Sequence, residues 1–173
     1  MDRFLGILAT IAPAVVIGVL GVVAAGCSRP ASLGHTFESD ETLARAVLDG
    51  FTRKDAAVLL QLSVTKEEFE DLVWPTLPVS RPEVGMPLSY VWQDNFTKSR
   101  SYLAQTLDAF GGSRYELRGI EFGGPTTDRG TYSVSRQARL LVMDEQGKER
   151  RLRLFGSVIR QHGRSKVFSY IVD

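Results

Sequence analysis

Hydrophobic and polar residues divide the chain into three successive patterns. The first is an uncharged, strongly apolar run from Phe4 to Gly26. Residues 28–39 follow without an apolar period, as is typical of a linker. Beyond them, apolar residues recur at helical spacing as far as Phe110 and alternate as in strands from Tyr115 onward. The pattern predicts an α+β domain, with the apolar N-terminal segment lying outside it as a signal helix.

Three short helices are predicted at the start of the domain, each opened by a polar cap. Ser39, or the residue after it, can cap the first helix, and Asp55 lies where the second begins. The spacing Thr65-x-x-Glu68 matches a capping box for the third. Trp74 should end that helix, because the proline that follows disfavours the α conformation at this residue.

Prolines then interrupt the helical pattern. Residues 75–87 contain four prolines and one glycine, which predicts an irregular arm rather than a domain boundary. A short strand is expected near residues 88–92. A longer helix is expected from Asp94 or Thr97 to Phe110, where the two following glycines supply a stop.

Four strands are predicted in the last third of the chain. They cover residues 115–122, 130–143, 148–161 and 165–172, joined by short turns. Consecutive strands with short connections pair antiparallel, so the sequence predicts a four-stranded meander. The apolar alternation changes phase around Gly156, which indicates a bulge or sharp bend that would curl the sheet.

Helices followed by a curled antiparallel sheet resemble the cone-shaped fold of nuclear transport factor two and ketosteroid isomerase. The resemblance covers residues 40–173 and rests on the order of the elements, so it carries no catalytic residue with it. It implies a single domain whose curled sheet encloses a cavity. A cystatin-like sheet wrapped on a helix is the alternative.

The apolar run ends in Ala24-Ala25-Gly26-Cys27, and Cys27 is the only cysteine of the chain. This ending resembles the lipobox of bacterial lipoproteins. The resemblance implies that residues 1–26 are a signal peptide cleaved between Gly26 and Cys27. Residues 27–39 would then be a lipidated cysteine and a tether without defined conformation, and acyl chains such as palmitate would anchor the domain to the membrane. The domain would face the periplasmic side of a bacterial cell envelope.

Two other interpretations of the apolar run stay open. About 23 residues at ~1.5 Å each span about 34 Å, enough for an uncleaved transmembrane helix and hence a single-pass membrane protein. A conventionally cleaved secretory signal is the other. Each of the three interpretations places the rest of the chain outside the cytoplasm or at its membrane.

Charge is balanced overall but unevenly distributed. Residues 28–113 hold 8 Lys and Arg against 12 Asp and Glu, whereas residues 114–173 hold 12 against 7. Packing of an acidic half against a basic half would account for this. The alternative is a basic surface that contacts anionic lipid or a partner, with Arg136, Arg151 and Arg153 as its candidates. No nucleic-acid partner is expected for an exported domain.

Residues with catalytic or metal-binding chemistry are sparse. With Cys27 acylated, only His35 and His162 remain as soft ligands, so no metal site and no cofactor is expected. No Gly-x-Ser-x-Gly motif occurs to supply a nucleophile. Asp94 and Asp108 are candidates for a lone general base at the mouth of a cone. The chain is therefore expected not to be an enzyme, and a small enzyme with one buried acid or base is the alternative.

Aromatic residues flank the proline-rich arm and are the candidates for ligand binding. Trp74, Tyr90, Trp92 and Phe96 would cap the open end of a curled sheet and line an apolar pocket. The sequence thus predicts a membrane-anchored envelope lipoprotein with a non-catalytic domain. That domain would bind a small apolar ligand or an envelope protein, or serve a structural role.

Overall fold

The structure is a computed structural model that describes residues 31–172. Its helices are α1 (Asp40–Thr52), α2 (Ala56–Gln61), α3 (Lys66–Glu68) and α4 (Leu88–Phe110), with a π-helical turn after α3 (Phe69–Val73) and three 3-10 turns before α4 (Trp74–Thr76, Pro78–Ser80 and Pro82–Val84). Its strands are β1 (Tyr115–Phe122), β2 (Thr126–Asp128), β3 (Ser133–Arg136), β4 (Ala138–Asp144), β5 (Glu149–Leu152), β6 (Ser157–Gln161) and β7 (Arg164–Ser169). The predicted α+β class is confirmed.

Local hydrogen bonds explain where the short helices begin. Ser39 caps α1 in a capping box, and the carboxylate of Asp55 accepts from the backbone N–H of Val58 at the start of α2. Thr65 and Glu68 form the predicted capping box of α3, which becomes a π-helical turn and ends before Trp74. The structure confirms these three caps. They could be predicted because each depends on side chains within four residues of the helix end.

The long helix begins earlier than predicted. Residues 88–92, expected as a strand, are the first turns of α4, which starts directly after Pro87. These residues have a composition typical of a strand, but tertiary packing determines their conformation. Val91 and Trp92 lie against a buried apolar cluster on one side of the helix. The end at Phe110 is as predicted, and Gly111 donates its N–H to the carbonyl of Leu107 at 2.8 Å.

The strands form two antiparallel sheets within the described residues, in place of the predicted four-stranded sheet. One has the order β1-β4-β5 and the other the order β2-β3-β6-β7. Two strands expected to be continuous are each divided between the sheets. The break in one lies at Gln137, whose φ is +56°, and the break in the other lies at residues 153–156. The two breaks are adjacent, since Ala138 donates to the carbonyl of Gly156 at 3.1 Å.

Gly156 allows the end of the chain to cross this bend. Its N–H donates to Ser169 at 2.9 Å, and a Cβ at this position would lie 1.6 Å from the carbonyl oxygen of Ile171. No side chain fits in that space. The phase change in the sequence therefore marks a point where the chain passes from one sheet to the other.

Apolar side chains collect into two clusters. The larger lies between α1 and the sheets and includes Leu43, Val47 and Phe51, together with Leu140 and Phe155 among others. The second cluster is built by the segment after α2 and by the four-stranded sheet, and its buried members are Val64, Phe69, Leu72, Val73, Tyr132, Val134 and Ile159. Helix α4 covers this arrangement incompletely, because Leu103 is its only fully buried residue.

The stretch expected to be a tether has a defined course from Ala31 onward. The side-chain amide of Gln161 donates to the carbonyl of Ala31 at 3.0 Å and accepts from the N–H of Leu33 at 2.9 Å. Phe37 then pairs with Ser165 as an isolated antiparallel bridge. These contacts hold residues 31–37 against β6 and β7, in contrast to the expected tether without fixed conformation.

A buried ion pair strengthens this attachment. The Lys166 ammonium donates to both carboxylate oxygens of Glu68 and to the carbonyl of Gly34, each at 2.8 Å. Only 1% of the Lys166 side chain and 9% of the Glu68 side chain are exposed. The same carboxylate accepts from the N–H groups of Gly34 and Thr65. Three segments, namely the N-terminal stretch, α3 and β7, are thereby joined.

The residues of the lipobox resemblance, Ala24, Ala25, Gly26 and Cys27, lie outside the described residues, as does the rest of the apolar run. Between residues 31 and 172, the helices are too short or too polar for any of them to span a bilayer.

Candidate functional site: an apolar cavity beside the long helix

A cavity of about 190 Å³ lies between the N-terminal half of α4, the segment from α2 to the arm, and the end of β7. Leu60, Val64 and Leu77 form its aliphatic wall. Helix α4 contributes Trp92, Asn95, Phe96 and Ser99 to its lining. An engineered protein cavity of about 150 Å³ is known to bind benzene, so this one has room for a molecule of that order of size.

Aromatic rings form the opposite wall. The Trp92 ring is 5.4 Å from that of Phe69, at a tilt of 47°, and 5.4 Å from that of Phe96, stacked at 19°. The guanidinium of Arg100 lies over the outer face of Phe96, 5.6 Å from its centroid. Trp92, Phe96 and Arg100 follow at a spacing of four, which places them along one side of α4. Phe168 of β7 completes the aromatic lining.

Four polar side chains border the cavity, and each already makes one bond to the protein. The Ser63 hydroxyl donates to the carbonyl of Leu60, and the side-chain amide nitrogen of Asn95 donates to the carbonyl of Val91 at 2.9 Å. Ser99 accepts from the N–H of Tyr170 at 3.0 Å, and Ser169 accepts from that of Ile171 at 3.0 Å. Within residues 31–172 the hydroxyls of Ser99 and Ser169 make no hydrogen bond as donors, so each has a proton that it can donate to a bound molecule.

Among residues 31–172, no titratable side chain belongs to the lining of this cavity. The arrangement can bury an apolar group and donate a hydrogen bond to an acceptor oxygen or nitrogen attached to that group. It offers no acid, base or nucleophile of ordinary reactivity to a bound molecule.

The four aromatic candidates have different positions. Trp92 and Phe96 line the cavity. Trp74 is half-buried against the second cluster, and Tyr90 is 63% exposed in the first turn of α4. Sequence reasoning missed Phe69 and Phe168 as lining residues. Phe69 follows the predicted capping box at helical spacing and could have been found, whereas nothing in the strand pattern distinguishes Phe168.

The three arginine candidates do not form one basic ladder. Arg136 belongs to β3, Arg151 belongs to β5 of the other sheet, and Arg153 lies in the bend between β5 and β6. All three are exposed. Arg151 of β5 is paired with Leu141 of β4. Arg139, two residues before Leu141 on β4, is paired with Glu121 of β1. Acidic side chains are thus interleaved with the basic ones on this sheet.

One ion pair stabilises the turn at the end of this sheet. Arg150 donates to Asp144 at 2.7 Å, and the backbone N–H groups of Lys148 and Gln146 donate to the same carboxylate. The hydrogen bond from Arg150, followed by that from Lys148, holds the pKa of Asp144 below its ordinary value. This ion pair stabilises the turn, and the Arg150 guanidinium is already hydrogen-bonded to Asp144.

The remaining candidates for chemistry lie apart from the cavity. His35 and His162 are both exposed, in turns with positive φ. Asp94 pairs with Lys98 at 2.7 Å on the outer side of α4, and Asp108 is exposed near its end. Among residues 31–172, no group of three potential metal-ligating side chains is brought together.

The chain was compared with models of known protein families, with characterised proteins and with solved structures, and none of the three comparisons gives a match.

Proposed function

We propose that this protein is a membrane-anchored envelope lipoprotein whose domain binds a small apolar ligand in the cavity beside α4 and has no catalytic role. The observation that carries the proposal is the cavity itself, which is lined by aromatic rings and aliphatic side chains. Cys27, preceded by three small residues and a long apolar run, supports the anchor. A single-pass or secreted form of the chain would leave the binding proposal unchanged.

The cavity lining favours a particular class of ligand. Its volume of about 190 Å³ suits a substituted benzene, an indole or the end of an acyl chain. The aromatic rings of Phe69, Trp92 and Phe96 in the lining favour a flat, apolar group. The free protons of the Ser99 and Ser169 hydroxyls favour a ligand that carries one acceptor oxygen or nitrogen.

The expected curl of the sheet supports the same function. Both breaks that divide the strands lie side by side at Gln137 and Gly156, and the two sheets therefore meet at one bend. We propose that the sheets act as one curled surface of the cone type, with α4 across its open side. The enzyme alternative receives no support at this cavity, because its lining lacks a titratable side chain.

Ligand binding can be tested on protein extracted from membranes under mild conditions. Native mass spectrometry should detect a co-purifying small molecule, and indole, toluene and 1-octanol should raise the unfolding temperature of stripped protein. A probe at 100 times its Kd stabilises the native state by about 2.7 kcal/mol, which corresponds to several degrees for a domain of this size.

A matched pair of substitutions locates the binding site. Leu60→Trp fills the cavity from α2 and should abolish the probe-dependent shift, whereas Gln61→Trp, at an exposed neighbouring position, should retain it. Asn95→Trp fills the cavity from α4, and it replaces Leu60→Trp in this test if that variant does not fold. The proposal fails if no probe shifts the unfolding temperature of the wild-type protein and nothing co-purifies with it.

A further inference from the structure

We infer that the domain is held directly against the lipid bilayer, and that it contacts the lipid through the proline-rich arm. The arm patch is defined here as Val84, Met86 and Tyr90, which are 50%, 38% and 63% exposed. The inference rests on the membrane anchoring of the proposed function. It adds an orientation and a contact surface that the anchor alone does not specify.

The connection between the membrane and the domain is short. Ala31 is the fourth residue after Cys27, so an extended connection of four residue steps reaches at most about 14 Å. The radius of gyration of a domain the size of residues 31–172 is about 15 Å. Because Ala31 and Leu33 are both hydrogen-bonded to Gln161, the following residues provide no further slack while the domain is folded. A lipid anchor at Cys27 therefore restricts which surface can face the bilayer.

The arm patch and Ala31 are both connected to the second cluster. Ala31 and Leu33 pack against the second cluster, the same cluster that contacts Leu77 and Val91. The arm leaves this cluster after Leu77 and returns to it at Val91, with Val84 and Met86 between these two points. The site where the chain departs for the membrane and the exposed apolar side chains are thus supported by one cluster.

The chemistry of the arm patch suits a lipid interface. Apolar side chains that are exposed in water lose contact with water when they enter the region between headgroups and acyl chains. A tyrosine ring is amphipathic and is favoured at that depth. Arg81 and Glu83 beside the patch have opposite charges, so the contact should depend on apolar burial rather than on anionic lipid.

Depth measurements on the full chain test this orientation. The chain, carrying a nitroxide label at Val84→Cys, is reconstituted in vesicles of phosphatidylcholine with phosphatidylglycerol, and in vesicles of phosphatidylcholine alone. The matched control carries the label at Gln146→Cys, in an exposed turn beside Phe110. Phe110 ends α4, whose 23 residues extend over about 33 Å from the arm. Collisions of each label with oxygen and with a water-soluble nickel chelate are compared.

The label at position 84 should show an oxygen-to-nickel collision ratio several-fold above that at position 146, in both kinds of vesicle. Equal ratios at the two positions would overturn the inference. Dipolar broadening between labels at position 84 would also overturn it, since the patch would then join two copies of the chain.

The mass of the intact protein distinguishes failure of the anchor from failure of the orientation. It reports whether Cys27 carries acyl chains in the same sample. If the apolar run is not cleaved, it ends at Gly26, and its connection to Ala31 is nearly as long as that from Cys27. Cys27 would then have a free thiol that also reacts with the label, so the labelled variants are made in a Cys27→Ser background. The collision ratios therefore test the arm patch with either kind of anchor.

Discussion

Replacing Lys166 with methionine should destabilise the domain severely, because this lysine is buried with its charge fully engaged. Its ammonium group has three protons, and the three hydrogen bonds to Glu68 and Gly34, each at 2.8 Å, use all of them. The Glu68 side chain is 9% exposed in the wild-type structure, and in the Lys166→Met variant the N–H groups of Gly34 and Thr65 remain as the partners of its carboxylate within residues 31–172. Removing one member of a buried pair costs about 3–5 kcal/mol.

The double variant Lys166→Met/Glu68→Gln separates the loss of the charge pair from the loss of packing. A glutamine oxygen can still accept from the capping-box N–H of Thr65, and no unpaired charge remains. We expect it to recover at least about 2 kcal/mol relative to the single variant, since residues in direct contact show coupling of this order. Lys148→Met, at an exposed position, is the control and should change stability by less than about 0.5 kcal/mol.

Urea denaturation followed by the fluorescence of Trp74 and Trp92 measures the free energy of unfolding for each variant. A loss of 3–5 kcal/mol is a large part of the 5–15 kcal/mol that is typical of a domain. The reasoning is refuted if Lys166→Met is as stable as Lys148→Met, or if the double variant is no more stable than Lys166→Met alone.

Two further predictions concern the bend and the core. Gly156→Ala should lose at least about 3 kcal/mol in the same denaturation assay, because its Cβ would lie 1.6 Å from the carbonyl oxygen of Ile171, and that backbone oxygen cannot move aside without displacing the chain end. Gly119→Ala, whose Cβ would meet its nearest neighbour at 3.8 Å, should be neutral or slightly stabilising, and equal effects of the two would contradict the steric argument. Burial raises the pKa of the Tyr170 phenol, whose O–H donates to the carbonyl of Leu59. Tyrosine in the unfolded chain ionises near pH 10 and the folded one at higher pH, so the stability contributed by Tyr170 is complete below pH ~10 and is lost above it at up to about 1.4 kcal/mol per pH unit. Tyr170→Phe should lower the free energy of unfolding by about 1–2 kcal/mol at neutral pH. Between neutral and alkaline pH, the free energy of unfolding of this variant should fall less than that of the wild type. Parallel curves of unfolding free energy against pH would contradict this.

Several features of the fold could be predicted from the sequence because short-range interactions produce them. The capping box of Thr65 and Glu68 needs only residues three apart, and the strand β1 was predicted with the bounds it has. The turn at His162 and Gly163 forms because both residues adopt positive φ between two alternating strands. Each of these features depends on a few neighbouring residues.

Other features depend on partners far away in the chain. Residues 88–92 are helical because Val91 and Trp92 reach the second cluster, which is completed by Tyr132 and Ile159 of the sheet. The same reason explains why the cavity was only partly predicted. Trp92 and Phe96 were candidates from their position beside the arm, whereas Phe168 approaches them only after β7 is in place.

By itself, the sequence determined that helices precede strands, the caps of the first helices, the turns at residues 144–147 and 162–163, and the phase change at Gly156, because hydrophobic period and backbone preference act over a few residues. Tertiary structure alone decided that the strands divide into two sheets and that Lys166 is buried rather than exposed. It also decided that residues 31–37 attach to the domain. The burial of Lys166 and the attachment of residues 31–37 depend on contacts between residues that are 98 to 132 positions apart. A local pattern cannot indicate which charged or polar group will find a buried partner, since that depends on the geometry of the whole assembled core.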